Sequence, residues 1–95
     1  MGEDKSGAKV YVPKHVEFTS VEGEFVLVDL KRGTYFGLDE IASRAWELLR
    51  QNGSVDMTLA VMTNEYVVSP EVIRKDILEL VQKLETKGLI DLRWD

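Results

Sequence analysis

The stretch Glu24-Phe25-Val26-Leu27-Val28-Asp29-Leu30-Lys31-Arg32-Gly33-Thr34-Tyr35-Phe36-Gly37-Leu38-Asp39 decides the fold. Its first seven residues, 24–30, are rich in β-branched and apolar side chains and read as a central strand. Val26, Val28 and Leu30 alternate with Phe25 and Leu27, so both faces of that strand call for cover. Lys31-Arg32-Gly33 supplies a glycine turn, and Thr34 to Leu38 forms a short third strand. Upstream, Val16 and Phe18 alternate with His15, Glu17 and Thr19, the period of a half-buried strand over about 15–20. The Val21-Glu22-Gly23 turn joins it to the central strand, which completes a three-stranded antiparallel meander.

At Asp39 the period changes from two to that of a helix. Asp39 is placed to cap a helix over about 40–51 with Ile41, Ala42, Ala45, Trp46 and Leu49 on its apolar stripe, and Asn52-Gly53 is a left-handed stop. Ser54 caps a second helix over about 55–66 with Leu59, Met62 and Tyr66 on one face, although Thr58 and Thr63 have lower helix propensity. Ser69-Pro70-Glu71 opens a third, about 70–87, because Pro at the first helical position loses no hydrogen bond and Glu suits the positive end of the helix dipole. Ile73, Ile77, Leu80, Val81 and Leu84 form its stripe, and Gly88 ends it. Three strands followed by three helices give an α+β fold, winged-helix-like, with the sheet placed first. Residues 1–9 lack apolar periodicity and read as a flexible N-terminal tail ahead of one domain over 10–95. Gly2 and Ser6 match the myristoylation pattern, which is short enough to arise by chance.

Composition narrows the function. Ninety-five residues with 44% hydrophobic and 31% charged content suit one packed domain, too small for a second catalytic unit. With no cysteine and a single histidine, thiolate nucleophiles, disulfides and sulfur-ligated zinc drop out, and neither a metal site nor a cofactor is called for. No apolar run reaches the roughly 20 residues that span a bilayer, and the start lacks a signal pattern, so the expected location is the cytoplasm.

Enzymatic function finds no constellation. Asp39 and Glu40 are adjacent carboxylates that helix capping explains, and His15 has no orienting carboxylate or nucleophile near it in sequence. Nucleic acid is also disfavoured. The net charge is -5, and the third helix sets Arg74, Lys75, Lys83 and Lys87 against Glu71, Asp76, Glu79 and Glu85, leaving no positive face for phosphates.

The third strand remains. At the edge of the meander its outward N–H and C=O groups lack a partner, yet Thr34-Tyr35-Phe36-Gly37-Leu38 carries two aromatics and none of the charges that blunt natural edges. The helix or the tail could cover it, or an extended peptide could pair with it by β-augmentation. Strand exchange into a dimer is a further route that such an edge leaves open.

The run Val26-Leu27-Val28-Asp29-Leu30, Gly33-Thr34-Tyr35-Phe36-Gly37-Leu38-Asp39, Ala45-Trp46-Glu47-Leu48-Leu49, and Asp76-Ile77-Leu78 through Leu84 to Gly88-Leu89-Ile90 resembles the PqqD-like proteins, recognition elements for ribosomally made, modified peptides. The resemblance covers about residues 15–92. With no enzyme attached, the chain is most similar to the freestanding leader-binding proteins of split lasso-peptide systems. That resemblance implies an adaptor which captures the leader of a precursor peptide, marked by a Tyr and a Pro three residues later. It would present the precursor to a separate cysteine protease and an ATP-dependent cyclase. The sister role is a precursor chaperone in pyrroloquinoline quinone biosynthesis, where a radical SAM enzyme is the recipient. A winged-helix DNA-binding regulator is the remaining alternative. Carried over residue by residue, the family's binding mode implies an antiparallel leader strand on Thr34, Tyr35 and Phe36. Its side chains would lie against Val72, Lys75, Asp76, Glu79, Leu80 and Lys83 of the third helix.

Overall fold

The computed structural model describes residues 5–94. A 3-10 turn, Lys5–Gly7, leads into β1 (Lys9–Tyr11), followed by β2 (Val16–Val21), β3 (Glu24–Asp29) and β4 (Thr34–Gly37). The helices are α1 (Glu40–Asn52), α2 (Val55–Glu65) and α3 (Pro70–Thr86), and β5 (Asp91–Arg93) closes the chain. The α+β order of three antiparallel strands and then three helices is as the periodicities predict. Sheet order is β2-β3-β4, with Phe18, Leu27 and Phe36 in one cross-strand row. The β2–β3 turn places Glu22 and Gly23 at φ 54° and 86°, the paired positive values of a hairpin turn whose twist matches its strands.

A second sheet escaped the sequence reading. β1 pairs antiparallel with β5, Val10 opposite Leu92, and the Val10 N–H also donates to the Gly53 carbonyl at 2.9 Å. Ala8 is buried beside them, and Lys5 forms a 3.0 Å ion pair with Glu85. The segment expected to be a loose tail is therefore docked from Lys5 onward, whereas Gly2 and its myristoylation pattern lie outside the described residues. Strands of three residues show too little alternation to be recognised without their partner.

The expectation that β3 is covered on both faces also changes. Phe25, Leu27 and Asp29 form its inward side, but Val26 and Val28 are only half-buried and Leu30 is 62% exposed. All three helices lie on one side, so the other face meets solvent. Leu27 packs in the same core as Trp46, Leu49, Met62, Ile77, Val81 and Leu84. Phe18 sets its ring edge-on to both Phe25 and Trp46, at centroid distances of 5.4 and 5.9 Å.

Buried polar groups hold the corners. The Asp29 carboxylate, 1% exposed, accepts the Lys31 and Arg32 N–H groups at 3.0 Å each and so shapes the β3–β4 turn. Antiparallel pairing of Val16 with Asp29 also carries His15 to 3.9 Å from that carboxylate, so the histidine has the acidic neighbour that linear sequence hid, though no nucleophile. Thr58 is buried by back-bonding to the Ser54 carbonyl at 2.9 Å, which reconciles a weak helix former with α2. Outside the core, Arg44 grips Glu65 with two hydrogen bonds of 2.9 and 2.6 Å, and that guanidinium holds the Glu65 carboxyl below its ordinary range.

Ser43 ties the sheet to α1. Its hydroxyl accepts the Phe25 N–H at 2.8 Å and donates to the Leu38 carbonyl at 3.2 Å. It thereby takes the place of one rung where the β3–β4 ladder gives way to the helix. Ser43→Ala is expected to lower stability by about 1–3 kcal/mol by stranding both groups. At roughly 4 °C or more per kcal/mol for a domain of this size, calorimetry resolves the shift. An unchanged melting temperature would refute this role.

Candidate functional site: the groove between β4 and α3

Among the described residues, the outer edge of β4 pairs with no strand. The Leu38 N–H bonds inward to the Phe25 carbonyl at 2.9 Å. By the alternation of antiparallel ladders, Phe36 shares that inward phase, and Tyr35 and Gly37 turn their N–H and C=O groups toward the open edge. The sequence points to strand 34–38 for peptide addition and to Thr34, Tyr35 and Phe36 as its contacts; that Gly37 is an outward position does not show there, because a glycine without a side chain has no phase in a hydrophobicity pattern.

Beside that edge lies a cleft of about 310 Å³. Its β4 wall is Phe36, Gly37 and Leu38, and its α3 wall includes Asp76, Ile77, Glu79, Leu80 and Lys83. The first turn of α1 closes one end with Ile41 and Ala42. That turn is fixed by Asp39, whose carboxylate accepts the Ala42 N–H at 2.8 Å. Ile41 was assigned to the core stripe of its helix, yet it is 37% exposed and lines the groove instead. A second hollow of about 230 Å³, bounded by Arg32, Thr34, Tyr35, Lys87 and Leu89, continues past Phe36, which lines both. The two hollows make one trough along β4.

Of the nine residues named from sequence, Phe36, Asp76, Glu79, Leu80 and Lys83 converge on the larger cleft, and Thr34, Tyr35 and Phe36 on the smaller. Tyr35 is 78% exposed and pairs with Val28, on the half-open face of the sheet away from the core row. Val72, 50% exposed, lines neither hollow. Lys75 lines a neighbouring hollow on α3, beside Lys5 and Leu78, which shares Glu79 and Lys83 with the larger cleft. A helical projection groups residues by angle but does not say how far along its axis the helix meets the strand.

The trough has the features that an extended peptide needs for binding. Its floor is apolar and its edge offers backbone donors and acceptors. Among the described residues no group of three or more metal-ligating side chains converges, and no helix is long and apolar enough to cross a membrane.

Comparison with solved structures finds the same fold in peptide-bound proteins. TbiB1 in complex with the TbiA(beta) leader peptide is 30% identical, aligned over 88% of this chain and 98% of that one, with a TM-score of 0.79. Lasso peptide synthetase B1 complexed with its leader peptide has the same TM-score at 23% identity, over 87% of this chain and 98% of that one, a likeness of fold alone. A search of curated proteins returns no match. The model of the family described as coenzyme PQQ synthesis protein D matches residues 24–90, from the start of β3 through the turn after α3. That span takes in the open strand, both walls of the trough and the core beneath them, and the chain belongs to the PqqD family.

Proposed function

We propose that this protein is a leader-peptide-binding adaptor of lasso-peptide biosynthesis. It captures the leader of a ribosomal precursor as an added strand on β4, with alternate side chains seated against α3. It then presents the precursor, in the cytoplasm, to a separate cysteine protease and ATP-dependent cyclase and performs no chemistry itself. The observation that carries this reading is the β4 edge, unpaired among the described residues, opening onto a trough with an apolar floor and charged rims, in a fold shared with a leader-bound protein at 30% identity. Presentation of a pyrroloquinoline quinone precursor to a radical SAM enzyme is the second reading, favoured by the family match.

Magnitudes support pocket-driven recognition. Four or five strand hydrogen bonds at roughly 1 kcal/mol net each are offset by about 2–5 kcal/mol for ordering a flexible leader. Two buried anchors such as Tyr and Pro add about 1.5–3 kcal/mol apiece, which brings affinity to the micromolar range or tighter. Isothermal titration with the leader encoded beside this gene tests the reading. Micromolar or tighter binding is expected, and absence of binding overturns it. The same titration with a pyrroloquinoline quinone precursor separates the two readings.

The strand-addition geometry has its own test. Gly37 lies at the open edge with its N–H outward, and nothing stands within 4 Å of where a Cβ would be. Gly37→Pro removes that donor while sparing the ladder to β3. Leader affinity is expected to fall about fivefold, the equivalent of one hydrogen bond of roughly 1 kcal/mol. Unchanged affinity in a folded variant would mean that the leader does not pair there.

A further inference from the structure

We propose that the trough is charge-polarised and selects an extended peptide with a basic side chain first and an acidic side chain four or six positions later. The inference rests on the leader-binding reading and adds to it the chemistry and direction of the occupant.

Both walls carry the same gradient. On the strand side, Arg32 borders the smaller hollow and Asp39 the far end of the larger one. On the helix side, Lys87 borders the smaller hollow, and Asp76, Glu79 and Lys83 border the larger, Lys83 on the side toward Lys87, one turn before it. The strand and the helix thus run in opposite directions across the trough, and like charges meet at each end. Asp76 and Glu79 are exposed, and neither has an ion-pair partner among the described residues. The Lys87 ammonium lies 5.5 Å from the centre of the Phe36 ring, over the trough floor. Arg32 donates to the Lys87 carbonyl at 2.8 Å, which holds the guanidinium at that end. Of the buried Asp29 carboxylate beside it, Oδ1 accepts the Lys31 and Arg32 N–H groups and Oδ2 stands 4.0 Å from the guanidinium, a loose ion pair that leaves Arg32 63% exposed.

Spacing follows from helix and strand dimensions. Asp76 to Lys87 spans roughly 16 Å at 1.5 Å per residue, which an extended chain crosses in about five residues. Because alternate side chains face one side of a strand, the two charges must stand an even number apart, four or six, with apolar residues at the even positions between. The sheet is antiparallel throughout, and a further antiparallel strand on β4 begins at the Asp39 end, which places the base before the acid.

Selection from a displayed library of random twelve-residue peptides tests the inference. Expected is enrichment of Lys or Arg followed four or six positions later by Asp or Glu. Resynthesised winners should bind at least about tenfold more tightly than peptides with the two charges exchanged, and that preference should shrink at high salt, where the Debye length falls to about 3 Å. The double variant Asp76→Lys with Lys87→Glu should invert the order, and Glu79→Lys with Lys83→Glu provides a second inversion should the first pair disturb the helix end. Winners that lose binding to Leu80→Asp yet show no charge order, or the opposite order, overturn the polarity and leave the groove as a peptide site. Winners indifferent to Leu80→Asp, or no winners, overturn both.

Discussion

Leu80→Asp is expected to weaken leader binding at least about tenfold while the domain stays folded. Leu80 is half-buried and lines the cleft opposite Phe36 and Leu38, whereas Ile73, Ile77, Val81 and Leu84 carry the contact of α3 with the core. Leu80 packs against that core only in part, so the substitution leaves the four fully buried contacts in place. It removes an apolar side chain from the binding surface, a loss of about 1.5–3 kcal/mol if Leu80 is fully covered by the leader. It also forces a carboxylate to lose water against apolar leader atoms, or to hold the leader off. Tenfold corresponds to about 1.4 kcal/mol, the low end of that sum. Isothermal titration against the leader, with circular dichroism to show an unchanged fold, makes the measurement. Equal affinity for both proteins would remove Leu80 from the site. Gln82→Ala, exposed on the same helix and lining neither hollow of the trough, is the control, and its effect should be small.

Trp46→Ala is expected to lower stability by about 3–5 kcal/mol, a large part of the roughly 5–15 kcal/mol that holds a small domain together. Trp46 is the largest fully buried side chain, at 0% exposed, and Phe18 stands edge-on to its ring. It is also where α1 meets the sheet, so its removal leaves a cavity between the layers rather than a dent at the surface. Trp46→Phe should be far milder. The indole Nε1 is buried with no hydrogen-bond partner, and removing that donor relieves a penalty of about 1–3 kcal/mol that offsets part of the lost contact. Urea denaturation of the two variants distinguishes the terms. Equal losses would show that the indole N–H carries no cost, and a loss under about 1 kcal/mol for Trp46→Ala would show that the layers pack without it.

Sequence by itself determined the order of three strands and three helices, the caps at Asp39 and Ser54, the stop at Gly88 and the aromatic edge strand. Each is a local property: side-chain period, capping chemistry and glycine's access to positive φ act within a few residues, so they are legible without coordinates. The family resemblance rested on the same local runs. Tertiary structure decided the rest. β1 and β5 are too short to show a period, and they form because chain ends remote in sequence meet across the helices. Asp29 is polar on an inward face because the turn after it supplies two backbone donors. Ile41 belongs to a core stripe by spacing and to the trough by placement, and Val72 and Lys75 share a helix with the site without lining the trough. Which residues face one another across a groove depends on the offset of one element along another. That offset is set by packing of the whole core, which no window of sequence contains.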